Sequence, residues 1–317
     1  MMNMMKYIRT SGLLMSLLVI MGLFSCTNQK AVSESVSEEV QMDKPAELGM
    51  SADSLKAGVK EKEEEAVAEL NEQMIDEAAE ALEQTHEAIK ALEKGDKEAA
   101  LKAIEAATGK LEVLLAREPE LAMLPLEVSV KRHDLISDLE TIREIKKAVR
   151  KAIKEDHFQV VRDEMASLAS EIEINTAMLP LAAFPEALKT AAAQADQDEL
   201  DAAKQTLTQL LNTIVIETRR IPLPILRAEV MIAQAKQEDA KDEDKKKEVL
   251  QLLDNAEYQL IMAEELGYGK RDKEYAELNK AIEELKKSVE AGEDSQDLFQ
   301  QLKDKLAAFK NRITSKS

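Results

Sequence analysis

From about Glu61 the apolar residues recur at gaps of three and four. Val67, Leu70, Met74, Ile75, Ala78, Leu82, Ile89 and Leu92 fall near one face, which predicts an amphipathic helix. Gly95 is placed to end it and Asp96 to cap the next, "DKEAALKAIEAATGKLEVLLARE", which runs to Pro119. The pair reads as a helical hairpin turned at "KGD". A second segment runs from about Leu135 to Asp156 and continues as "HFQVVRDEMASLASEIEINTAMLPL". A third comprises "FPEALKTAAAQADQ" and "DELDAAKQTLTQLLNTIVIETRRIPLP". "ILRAEVMIAQAKQ", "VLQLLDNAEYQLIMAEELGYG" and a final pair of helices follow, with the charge run "EDAKDEDKKKE" expected as an exposed turn.

The second and third segments align at a shift of 42. Asp156 falls on Asp198, Val161 on Ala203, Met165 on Leu207, Leu168 on Leu210, Thr176 on Thr218 and Pro180 on Pro222. This is an internal repeat. The first segment fits at a shift of 61, where Ile104 meets Met165 and Pro119 meets Pro180. "MLPL" at Met123–Leu126 then becomes a shifted corner. Proline lacks an N–H and pushes the preceding residue out of the α region. The β-branched lead-ins "IEINT" and "IVIET" predict short extended segments before Pro180 and Pro222. The fold class expected is therefore mainly α: repeated helical hairpins packed as a bundle or short solenoid, with short extended segments at the LPL and IPLP breaks and a C-terminal helical hairpin.

Composition agrees with helices. Aromatic residues make up 3% of the 317 residues and tryptophan is absent. The formal net charge is −19; the first 25 residues carry Lys6, Arg9 and no acid, leaving −21 on the rest (41 basic against 62 acidic side chains). A body this acidic argues against nucleic acid as a partner. The single cysteine, Cys26, follows a short basic start and the apolar run Gly12–Phe24, which is too short and too early for a comfortable span. "LFSC" at Leu23–Cys26 resembles the bacterial lipoprotein signal. That resemblance implies cleavage before Cys26, lipid on its sulfur and attachment to a membrane. Thr27 in place of Asp makes the outer membrane, facing the periplasm, the expected destination. With one cysteine, no disulfide can form within the chain. Residues 1–25 are thus expected as a lipoprotein signal peptide and 26–60 as a flexible tether, followed by a helical domain over 61–269 and a hairpin over 270–317. Roughly thirty flexible residues reach about 30 Å.

The stretches "ALEKGD", "EIEINTAMLPL", "RRIPLPILRAEVMIAQA" and "YQLIMAEELGYG" resemble the YfdX family of bacterial envelope proteins, over roughly Glu77 to Gly269. The resemblance implies a helical periplasmic protein linked to acid and drug stress. It brings no catalytic residues.

Candidate chemistry is sparse. His86 opens "HEAIK", and Lys90 stands where a zinc motif would need histidine. His133-Asp134 is expected to cap the next helix through Asp134. The acids Glu171 and Glu173 of "EIE" are expected in solvent. Arg219, Arg220 and Arg227 flank "IPLP" and form the possible ligand or partner surface, with salt bridging as the alternative. The methionines of the body, Met165 among them, are expected to fill the core. No catalytic or metal-binding residues are assigned, and no cofactor. These features describe a lipid-anchored, non-enzymatic protein that binds a partner or small amphiphile. The alternatives are an oligomeric scaffold of the envelope and a metal-dependent hydrolase with diverged ligands.

Overall fold

A computed structural model describes residues 46–72, 76–119, 122–238, 242–269 and 273–314; Cys26, the signal and most of the expected tether lie outside these residues. The described residues fall within one compact unit, Met42–Ser317. They form eleven helices and three strands: α1 Ala52–Asn71, α2 Asp76–Glu93, α3 Lys97–Arg117, β1 Met123–His133, α4 Leu139–Lys154, α5 Phe158–Ser167, β2 Glu171–Pro180, α6 Phe184–Asp196, α7 Leu200–Leu211, β3 Val215–Pro222, α8 Leu223–Gln237, α9 Glu243–Leu266, α10 Lys273–Ala291 and α11 Gln296–Thr314. The mainly helical fold class is borne out, with the extended segments forming a small sheet.

The repeat is visible in the backbone. Each unit is a helical hairpin followed by a strand: α2–α3–β1, α4–α5–β2 and α6–α7–β3. Each hairpin turns on one left-handed residue at the same repeat position, Gly95 (φ 73°), Asp156 (φ 56°) or Asp198 (φ 63°). Asp tolerates this region better than most residues with a side chain. The closing bonds also repeat: the amides of Asp96, His157 and Glu199 donate to Ala91, Ala152 and Gln194, each at 2.9 Å.

The strands pair antiparallel in the order β1-β2-β3, with a hairpin inserted in each connection. Pro180 and Pro222 end their strands, as equivalent corners should. Pro125 behaves differently. "MLPL" at Met123–Leu126 begins β1 rather than ending a unit, and Pro125 lies opposite Met178 beside a register shift between Pro125 and Glu127. An edge strand tolerates the missing N–H there.

Two helix clusters flank the sheet. In the first, α2–α3 packs on α6–α7 through small side chains, Ala81, Ala88, Ala100, Ala107, Ala191 and Ala203 among them. In the second, α8–α11 pack through Leu252, Leu260, Tyr275, Ile282, Phe299 and Phe309. The C-terminal hairpin α10–α11 is therefore part of this cluster's core.

Four local expectations are corrected. Residues 46–60 are not tether: Ser51 caps α1, Val59 is buried, and Asn255 Nδ2 donates to the carbonyls of Ala46 (3.3 Å) and Glu47 (3.2 Å). The first long helix is two, since α1 ends at Asn71; Met74 and Ile75 lie outside the described residues. Asp138, not Asp134, caps α4, accepting from the Thr141 amide at 2.8 Å. The charge run opens α9, with Asp242 as its cap, rather than forming only an exposed turn.

Candidate functional site: the polar face of the sheet

Antiparallel pairing puts directly opposed residues on one face. One face carries Ile172, Ile174 and Ile221 and is covered by α1 through Val59, Val67 and Leu70. The other carries three polar ranks. Lys131, Glu173 and Arg220 form one; Ser129, Asn175 and Thr218 the next; His133 and Glu171 the last.

Side chains on this face form a continuous network. Thr218 Oγ1 donates to Asn175 Oδ1 at 2.7 Å, and Asn175 Nδ2 donates to Glu173 Oε1 at 2.9 Å. Arg220 bridges both acids: its Nε lies 3.2 Å from Glu171 Oε1 and its outer nitrogen 3.4 Å from Glu173 Oε2. The Asn175 amide, then the charges of Arg220 and Lys131, hold the Glu173 carboxyl below the usual range. From the end of α9, the Tyr268 hydroxyl accepts from the Ser170 amide at 2.8 Å. Burial pushes this phenol up and keeps it protonated. Asn175 and Arg220 hold Glu173, and the Ser170 amide meets Tyr268, so these groups brace β2 against β3 and the end of α9.

Glu171, expected in solvent, is only 8% exposed. The strand period places it beside Arg220, and the end of α9 closes over it. The three arginines do not converge. Arg219 points to the opposite face and meets Glu69 of α1 at 3.3 Å, while Arg227 on α8 meets Asp134 at 2.6 Å. Only Arg220 belongs to the polar network. Arg132 lies 3.5 Å from Glu63 and 3.6 Å from the same Asp134, linking α1, β1 and α8. The strand alternation of Lys131, His133, Glu171 and Glu173 was the signal that could have found this network.

The histidines sit on separate elements. His86 Nδ1 lies 3.0 Å from the Leu82 carbonyl oxygen, His157 Nδ1 lies 3.6 Å from Glu155, and His133 closes β1. Among the described residues no group of three or more His, Cys, Asp or Glu is placed to hold a metal ion. Among the described residues clefts also open elsewhere. One of about 270 Å³ lies between α10 and α11, with Arg312 stacked 5.4 Å over the Phe309 ring. A more polar one of about 480 Å³ lies between the end of α8 and the α10–α11 turn.

Residues 81–220 match the family model described as YfdX protein. This segment, somewhat under half of the chain, is similar to the YfdX family. The YfdX match begins within α2 and ends at Arg220, so it spans the three hairpins and most of the sheet. It includes "EIEINTAMLPL" and stops before α8–α11, so the resembling stretches beyond Arg220 lie outside it. A solved structure of Salmonella Typhi YfdX is 12% identical, covering 47% of this chain and 93% of that one, with a TM-score of 0.35. No curated protein sequence matches the chain.

Proposed function

We propose that this chain is a YfdX-type, lipid-anchored, non-enzymatic protein of the bacterial cell envelope. Cys26 holds it on the outer membrane, facing the periplasm. The helical body binds a protein partner or a small amphiphilic molecule under acid or drug stress. The observation that carries the reading is "LFSC" at Leu23–Cys26, directly after an apolar run with Lys6 and Arg9 before it. Acyl chains there would contribute about 0.8 kcal/mol per buried CH2 to membrane attachment. Among the described residues no helix is long and apolar enough to cross a membrane. The segment from Ala46 is docked, so the proposed tether excludes residues 46–60.

Metabolic labelling with a fatty acid tests the anchor. The chain should take up label and fractionate with outer membranes, and Cys26→Ser should abolish both. Label that persists in the Cys26→Ser chain would refute it. The binding role is tested by crosslinking in live cells with and without acid stress. The expected result is a partner or ligand enriched under stress; an identical profile in both conditions contradicts the stress link.

A further inference from the structure

The three hairpins are equivalent, yet only two of them pack on each other. In the α2–α3/α6–α7 cluster, α3 lies on α6 and α2 lies on α7. Exchanging the first hairpin with the third maps one contact onto the other, so the pairing has approximate twofold symmetry. The contact face is built from repeat-equivalent positions. Leu92 and Ala195 are buried in it, and so are Ile104 and Leu207.

The same positions in the second hairpin are Ile153 and Met165. They remain apolar, but Ile153 is 48% exposed and Met165 58% exposed, and Phe158 beside them is 61% exposed. The first half of α4 rests on α9, where Leu139 and Ile142 meet Tyr258 and Met262, and Lys146 and Arg143 pair with Glu265. In the far half of α4 Val149 and Ala152 are buried, whereas α5 buries no residue.

We propose that this face docks the α4–α5 hairpin of a second copy of the chain, with α4 of each on α5 of the other. A self-complementary patch closes as a twofold dimer. The internal pair shows that two hairpins of this repeat fit face to face with that symmetry. Charge agrees. Across the internal pair, Lys189 on α6 reaches Glu112 on α3 at 2.9 Å. Its repeat equivalent is Lys147 on α4, exposed and without an ion pair among the described residues, as are Arg150 and Lys154. The position of Glu112 itself falls on Glu173 in β2, and the acids on α5 are Asp163 and Glu164. The basic side of α4 would also suit an anionic lipid surface. The repeat register favours the second copy, because the exposed apolar residues occupy the hairpin-facing positions.

The test uses the full chain in its own membrane, with Phe158 replaced by p-benzoylphenylalanine and light-driven crosslinking in cells. The expected product has twice the chain mass, with linked peptides both from residues 139–167. Met165→Glu should lower its yield about tenfold, as loss of a central contact does, without shifting the unfolding midpoint of the purified chain. Crosslinks to phospholipid or to a different protein, or none at all, would overturn the proposal. So would a marked drop in the unfolding midpoint, because Met165 would then belong to the interior of a single copy. The outcome is independent of the anchor, since lipid on Cys26 and the hairpin contact are read from different residues.

Discussion

Hairpins α4–α5 and α6–α7 share a register, a turn and a following strand, and differ in what they cover. The apolar face of α6–α7 is buried against α2–α3, while that of α4–α5 leaves Ile153, Phe158 and Met165 exposed. Their sequences record the difference only faintly. The buried face uses Ala195 and Leu207; the open face uses Ile153 and Met165, which are no more polar. An apolar pattern therefore states that a face is to be covered. It does not state whether the covering element belongs to the same chain.

The sharpest way to break this comparison is a matched pair of truncations. Leu207→Ala opens a cavity in a closed core and should cost about 3 kcal/mol. Met165→Ala, at the equivalent position, should change single-copy stability by no more than about 0.5 kcal/mol. Denaturant unfolding at low protein concentration reads both. Equal losses would show that α5 is packed within its own chain.

A smaller effect sharpens the equivalence of the turns. Asp156→Gly relieves a left-handed side chain and should stabilise by up to about 1 kcal/mol. Asp198→Gly relieves the same conformation but removes the Asp198 carboxylate that Lys97 meets at 2.8 Å, so its gain should be smaller. Thermal unfolding of the two variants ranks them. The reverse order would separate the two turns.

The smallest effect lies in β2, the strand in which both hairpins are rooted. Glu173 has a folded pKa below its unfolded value. Its contribution to stability is thus present above the ordinary glutamate range and lost as pH falls through the depressed value. Glu173→Gln should lower the unfolding midpoint at pH 7, and the gap from the unchanged chain should narrow on acidification below about pH 4.5. A gap that widens on acidification would reverse the assigned sign.

Much of the fold was legible in the chain. Asp156 and Asp198, Thr176 and Thr218, and Pro180 and Pro222 carried the repeat, because turns and strand ends constrain residue type strongly. β1 was missed although Leu126, Val128 and Val130 alternate, because the proline before them read as a corner. α1 was missed in part because its first turns contain Gly58 and only Val59 is fully buried. The candidate site was less legible. Adjacent arginines on a strand point to opposite faces, so Arg219 and Arg220 could not form one cluster. The burial of Glu171 depended on Tyr268, which lies almost a hundred residues away in sequence and donates no local signal.

The measurement that bears most directly on the open face is hydrogen exchange of the full detergent-solubilised chain at several protein concentrations. If the α4–α5 face docks a second copy, amides of residues 149–167 become more protected as concentration rises, while those of α6–α7 do not change. Protection of α4–α5 that is independent of concentration, or already equal to that of α6–α7 in the dilute chain, would contradict the account.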